Sequence, residues 1–291
     1  MTTDLPRLLK RVYRFRQAAR RRGIARLFAR RRKAALLSEF ARLWRGGYVL
    51  TVEGDLAFLP TPLDSDGERV LLYGWRVPPP ALAFAPAGGV AIDVGANLGE
   101  WAVPLAKAVG PQGRLLAIEA NPPIANALAA TLRINRLTHA SVLALALSDQ
   151  DGSGTLSVDP AHTGLSRLSA ADANGIAVPL RRLDDIVVEQ GLSRLDLVKI
   201  DVEGHERQVL AGAAETLSRL RPAIIFETGH ETAEDRAAIA ALLGRLDYDI
   251  VAALHDYGAL ACGVGDYAAA SGACTGREAT NLLALPRLLS P

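Results

Sequence analysis

The stretch VAIDVGANLGEWAVPLAK, residues 90–107, decides how the rest of the chain is read. Its first residues form a short apolar run that closes on Asp93. A turn follows with glycine at positions 95 and 99, and then a helical pattern begins. A strand that stops at an acid and enters a helix through glycines leaves backbone N–H groups bare at a helix start. That arrangement suits a polar ligand at the carboxyl end of a parallel sheet. The dinucleotide fingerprint Gly-x-Gly-x-x-Gly is not met, because Asn97 and Glu100 stand where its second and third glycines belong. Close approach of a pyrophosphate is therefore disfavoured, and Asp93 would repel one. An acid in that place suits a cationic amino-acid end, such as the methionine moiety of S-adenosylmethionine. The plainer reading is a tight strand–helix turn in which Asp93 caps the helix.

Working outward, strands predicted at 90–93, 114–119, 141–147, 195–201 and 222–227 alternate with helices predicted to about 109 and at 122–135, 183–189, 206–220 and 233–246. That alternation argues for a parallel α/β sheet. Residues 248–254 and 281–285 read as two last strands, joined by a Gly- and Ala-rich loop at 256–280. Glycines punctuate 149–179, where 156–158 and 176–180 are expected to pair as an inserted hairpin. Ahead of the sheet, 48–60 reads as a hairpin turning at Glu53-Gly54-Asp55, and the prolines at 78–80 and 86 mark a lead-in loop. The expected division is a helical arm over 1–45, a hairpin and lead-in over 46–89, and the main domain over 90–291, with its insertion at about 150–180.

The 291 residues carry a formal net charge of +2 that conceals a strong asymmetry. Residues 1–45 hold 15 Lys/Arg against 2 Asp/Glu, whereas the remainder holds 18 against 29. A basic arm precedes an acidic body. Two apolar clusters, Leu5 to Val12 and Leu36 to Trp44, lie on helical faces, and Gly23 is expected to separate two helices. Three fates are open to the arm: docking on the acidic body, binding an anionic membrane surface, or binding nucleic acid. Nucleic acid is not expected, because stacking aromatics are sparse and no known module appears. No apolar run reaches the roughly 18 residues of a membrane span, and no signal-peptide core is seen. A cytoplasmic protein, peripheral to a membrane at most, is expected. Cys262 and Cys274 form no Cys-x-x-Cys pair and no zinc signature. They fit a reducing compartment, with a single disulfide left open.

Three further places carry chemistry. Glu119 ends the second strand, 24 residues after Gly95, where an acid can accept both hydroxyls of a ribose. Leu147 and Ser148 follow the third strand, where an adenine could rest. The run LDLVKIDVEGHE, 195–206, ends a buried strand in Asp201, Glu203, His205 and Glu206. Acids at a strand mouth are costly to desolvate without a partner and mark functional sites more often than not; the competing reading is that they cap the next helix. Glu227 ends the fifth strand with His230 three residues on. Such a pair is more often a loop hydrogen bond than a metal site, and no metal is expected.

The motifs AIDVGANLGEWA, LLAIEANP, LALSDQDGSGTLSV, LDDIV, LDLVKIDVEGHERQVLAGA and RPAIIFE occur in this order. Together they resemble the FkbM family of S-adenosylmethionine-dependent methyltransferases over residues 88–228, and more weakly at 281–286. The resemblance implies a class I methyltransferase fold, an α/β Rossmann-like seven-stranded, mostly parallel sheet whose last strand is antiparallel. It implies S-adenosyl-L-methionine as cofactor, held by Asp93, Gly95, Ala96, Asn97, Gly99 and Glu119, with Leu147 and Ser148 beside the base. It places Asp201 and Glu203 next to the donor methyl, with His205 and His230 as alternative bases. The acceptor it implies is a hydroxyl on a sugar, glycolipid or natural product. A non-catalytic scaffold on a degenerate body and a nucleotide-dependent oxidoreductase are the competing functions; the intact acids disfavour the first and the glycine spacing the second.

Overall fold

A computed structural model describes residues 10–12, 14, 26–159, 162–169, 174–255, 258–270 and 280–287. The expected break at Gly23 lies outside the described residues, as do residues 256, 257 and 271–279 of the expected 256–280 loop; the rest of that stretch carries a short strand and a short helix.

In chain order, α1 (Arg26–Leu43) leads into a hairpin of β1 (Gly47–Leu50) and β2 (Leu56–Leu59), and then into α2 (Ser65–Tyr73). Helix α2 falls inside the expected hairpin and lead-in region, 46–89. Its signal is Asp64, whose Oδ1 accepts from the Gly67 N–H at 2.8 Å as an N-cap. The core units follow as β3 (Val90–Val94), α3 (Ala102–Val109), β4 (Arg114–Ile118), α4 (Pro122–Ile134) and β5 (Ala140–Leu143). The insertion contains β6 (Ala146–Leu147), β7 (Gly152–Ser157), β8 (Arg167–Leu168) and β9 (Ile176–Arg181). Next come α5 (Leu183–Glu189), β10 (Leu197–Ile200), α6 (Glu206–Ala211), α7 (Ala214–Leu220), β11 (Ala223–Thr228) and α8 (Ala233–Arg245). The chain closes with β12 (Tyr248–His255), β13 (Gly258–Ala261), α9 (Val264–Ala268) and β14 (Thr280–Pro286).

The main sheet has the order β13-β12-β14-β11-β10-β3-β4-β5. Strands β5, β4, β3, β10 and β11 are parallel, and β14 inserts antiparallel between β11 and β12. This is the expected seven-stranded arrangement with one more edge strand, β13. The central strands are buried along nearly their whole length, as sheets covered on both faces require. The order reverses between β3 and β10, so the exits of β3, β4 and β10 open onto one crevice.

Two boundaries differ from the sequence reading. The strand expected at 141–147 divides: β5 joins the main sheet, while β6 pairs with β9 in the four-stranded sheet of the insertion. The expected hairpin is the β7–β9 pair, with Leu156 opposite Ile176. The helix expected at 206–220 divides into α6 and α7 around Gly212. A Cβ at that position would lie 2.0 Å from the Ser148 carbonyl oxygen, so two backbones meet where helix periodicity alone shows no break. Cys262 is buried, and Cys274 lies outside the described residues.

Among the described residues, the arm is tied to the body by burial. Leu36, Leu37, Phe40 and Trp44 join the same hydrophobic cluster as Leu71, Val103 and Leu128. The Trp44 indole N–H reaches the carbonyls of Leu59 and Pro60, at 3.2 and 3.0 Å. The hairpin is fixed to α4 in turn: Thr131 Oγ1 accepts from the Phe58 N–H, and the Asn135 amide exchanges two hydrogen bonds with the Leu56 backbone. Trp44→Ala is expected to lower stability by about 3–5 kcal/mol, the cost of emptying a large aromatic site. Urea denaturation measures this, and a loss below about 1 kcal/mol would mean that the arm is not part of the core.

Candidate functional site

At the exit of β3 the chain turns sharply through Gly95, at φ +76, and Asn97, at φ 44. The Gly95 and Ala96 N–H groups both donate to the Ile118 carbonyl, at 2.9 and 3.0 Å, which locks the turn against the end of β4. A Cβ on residue 95 would lie 1.7 Å from the Asp201 carbonyl oxygen, so the exits of β3 and β10 touch there. Three acids from three strand exits consequently face one cavity of about 270 Å³: Asp93, Glu119 and Asp201.

Asp93 is 1% exposed, and its Oδ2 has no hydrogen-bond partner among the described residues. Burial pushes its carboxyl up to about 7; Lys199 opposes the shift, and Asp201 and Glu119 add to it. Glu119 is anchored at both oxygens, accepting from the Asn97 N–H at 2.8 Å and the Asn121 N–H at 2.7 Å. Burial still raises it above the ordinary value, those backbone bonds opposing. Asp201 behaves differently. Burial pushes it up, but Lys199 and a hydrogen bond shared with Glu227 outweigh that and hold it below the usual carboxylate range. Glu227 is driven up to about 9 by burial, by Asp201 and by the shared proton. Glu203 rises to about 7 through burial, with His230 opposing and Asp201 and Glu206 adding to it.

Most of the residues singled out in the sequence meet at this cavity. Asp93, Gly95, Ala96, Asn97, Glu119, Leu147, Asp201, Glu203 and His205 all line it, as does Glu227. Three do not. Gly99 packs on α4, where a Cβ would meet Leu128 Cδ1 at 2.8 Å, so its glycine serves helix packing. Ser148 is buried behind the wall, its Oγ 3.0 Å from His205 Nε2. His230 lies on the outer side of the acids, with Nε2 3.3 Å from Glu203 Oε2 and 3.8 Å from Glu227 Oε2. The donor atoms of Glu203, Glu227 and His230 fall within 4.8 Å of one another, with the imidazole beside both carboxyl groups. His205 sits on the cavity wall, and burial holds its imidazole below the ordinary value, Asp149 opposing.

The far wall was not legible in the motifs. It comes from α2 and from the insertion, which clasp each other: Ser65 Oγ meets His162 Nδ1 at 2.6 Å, and Asp66 Oδ2 accepts from the Gly164 N–H at 2.6 Å. Arg69 crosses this wall to Asp66 and Glu100, at 3.0 and 2.8 Å. The sequence cues to this wall are the Asp64 cap that starts α2 and His162, a loose candidate in the insertion whose default reading is exposure; it is exposed and lines the cavity.

The strand order, the antiparallel β14 and the acid-lined crevice at the order reversal define a class I methyltransferase fold. The family model for the methyltransferase FkbM domain matches residues 93–259, and the chain belongs to that family. It is 30% identical over 201 residues to methyltransferase sdnD of Sordaria araneosa, covering 58% of this chain and 77% of that protein. It is 38% identical over 78 residues to the 2-O-methyltransferase NoeI of Sinorhizobium fredii, covering 26% of this chain and 32% of that protein. Among solved structures, it is similar to an FkbM methyltransferase from Methylobacillus flagellatus, with a TM-score of 0.46 and 19% identity. That match covers 68% of this chain and 44% of the other. The cofactor of the family is S-adenosyl-L-methionine, and the site fits it. A buried carboxylate with an unpartnered oxygen suits a cationic group, a backbone-anchored carboxylate suits a diol, and Leu145, Ala146 and Leu147 give an apolar wall.

Crowded buried acids make the unliganded protein sensitive to pH. Asp93 and Glu203 take up protons near 7 when folded and near 4 when unfolded, so the folded state binds more protons in between. Stability then falls as pH rises through that window, by up to about 1.4 kcal/mol per pH unit for each such group. Denaturation without ligand at pH 5, 6 and 7 is expected to show the protein weakening, with a shallower slope in Asp93→Asn. Stability that rises from pH 5 to 7 would contradict this charge arrangement.

Proposed function

We propose that this chain is an S-adenosylmethionine-dependent O-methyltransferase acting on a hydroxyl of a small-molecule or glycan acceptor. The observation that carries the reading is the cluster of Asp201, Glu203 and Glu227 lining the same cavity as the anchored Glu119. An aliphatic hydroxyl loses its proton as the new bond forms, and a carboxylate within reach serves as the base. Asp201 takes that role in our reading because Lys199 keeps it ionised; Glu203 and His205 are the alternatives, and His230 acts through Glu203. The partial match to a 2-O-methyltransferase supports oxygen as the acceptor atom.

When bound, S-adenosylmethionine supplies a methyl group already activated for displacement. The chain's own residues then hold and align. Asp93 accepts from the amino end, and Glu119 accepts from the ribose hydroxyls. Leu145 to Leu147 take the base, and the Gly95–Asn97 turn leaves room for close approach. The clasp of α2 on the insertion excludes water above the acids and meets the acceptor. Catalysis is assigned to residues 90–291, with 46–89 adding the α2 wall. Calorimetry with S-adenosylhomocysteine tests the pocket. Asp93→Ala and Glu119→Ala are each expected to weaken binding about ten- to a hundredfold, the worth of one charged hydrogen bond, while circular dichroism is unchanged. Unaltered affinity in both would remove the pocket as drawn.

We also infer that the arm, residues 1–45, binds an anionic membrane surface through charge alone. Its apolar residues Leu36, Leu37, Phe40 and Trp44 are buried in the core, so these four are not available for insertion. Vesicles with anionic lipid are expected to pull down the full chain at low salt and release it as salt is added. The matched variant replaces Arg30, Arg31, Arg32 and Lys33 by Gln, because deleting 1–45 would also remove core residues. Equal binding by that variant would dismiss the idea.

A further inference from the structure

Lys199 is the one residue of β10 whose chemistry contradicts its place. The strand LVKI is buried at all four positions, and Lys199 is 0% exposed. Sealing an ammonium in a sheet costs several kcal/mol unless partners answer it, and an apolar side chain of similar volume is often neutral or better for stability. Its surroundings answer it in a directed way. Nζ donates to the Ile200 carbonyl at 3.0 Å, lies 3.4 Å from Asp201 Oδ2, and stands 5.1 Å above the Trp101 ring. In register its neighbours are Asp93 on β3 and Ile225 on β11.

We propose that Lys199 is a positioning residue: its ammonium, sealed beneath the site, fixes Asp201 as the anionic member of the Asp201–Glu227 pair and leaves the shared proton on Glu227. This rests on the reading that Asp201 receives the acceptor proton, and it deepens that reading by saying why that carboxylate and not its neighbour.

The charged groups around Asp201 make the choice one-sided. Asp93 faces it from β3, Glu119 from the exit of β4, Glu100 from the turn before α3, Glu203 from the loop after β10, Glu206 from the start of α6, and Glu227 from β11. His230 stands beyond Glu203 and Glu227. Lys199 and Arg69 act on Asp201 from the positive side, and Arg69 is already paired with Asp66 and Glu100. Two carboxyls that share a proton ionise in sequence, and the one nearer a fixed positive charge ionises first. Lys199 Nζ stands 3.4 Å from Asp201 Oδ2, so that carboxylate is the one beside the fixed charge.

The test is carbon-13 NMR of the side-chain carboxyls in the full-length protein, with the Asp201 and Glu227 signals assigned by their loss in Asp201→Asn and Glu227→Gln. It needs neither donor nor acceptor, so it can fail while the methyltransferase reading stands, and the reverse. In the wild type, Asp201 is expected to be ionised and Glu227 protonated at pH 7. Lys199→Met is expected to raise the Asp201 midpoint by at least one pH unit, and Lys199→Arg to restore most of it. A buried role in packing alone would leave that midpoint in place, and an unmoved midpoint in folded Lys199→Met overturns the proposal. So does a wild-type Asp201 that is protonated at pH 7, an outcome that does not depend on how either variant folds.

Discussion

The contact between Gly95 and the Asp201 carbonyl sets the geometry on which the site depends. Parallel strands in register carry their exits side by side, and here β3 and β10 approach so closely that no side chain fits between them. The approach brings Asp93 and Asp201 to one crevice, and the hydrogen bonds from Gly95 and Ala96 to Ile118 bring the end of β4, with Glu119, beside them. The chain thereby concentrates acids where the sheet order reverses. Every later feature is a response to that crowding.

The responses differ in kind. Glu119 is steadied by two backbone N–H groups, which keep it an acceptor without a counter-charge. Asp93 is left with an unpartnered oxygen and the character of a half-neutral acid, ready for a cation. Asp201 is held by a buried ammonium, and Glu227 shares its proton. A pocket of this kind is unfavourable when empty at neutral pH and is relieved by a positively charged ligand. That is the physical sense in which the fold selects a sulfonium donor over a pyrophosphate. Among the described residues, the arm's link to the body is apolar, through Phe40 and Trp44.

The parallel sheet and the acid-lined exits were legible in the sequence because they follow from local rules. Apolar runs ended in Asp93, Glu119, Asp201 and Glu227, and the strands alternated with helical patterns. What was not legible depended on contacts between distant backbones. The split of 141–147 reflects β9 capturing β6, and the break at Gly212 reflects the approach of Ser148. Gly99 was read as part of the ligand turn because glycine spacing cannot tell a ligand from Leu128. The wall formed by α2 and the insertion brings together residues nearly a hundred positions apart, joined by Ser65–His162 and Asp66–Gly164. Short local motifs carry no trace of such a clasp. Lys199 was in view throughout as part of a quoted motif, but its burial gave it meaning.

The central claim is that these acids serve the transfer of a methyl group to oxygen, and carbon-13-labelled methyl transfer tests it most directly. The full-length protein is incubated with methyl-labelled S-adenosylmethionine and fractionated cell extract, and the labelled product is examined by NMR. The account predicts a labelled methyl bonded to a hydroxyl oxygen, absent when Glu119→Ala replaces the wild type. A label found on nitrogen or carbon, or no transfer by a wild-type protein that binds S-adenosylhomocysteine, would contradict it.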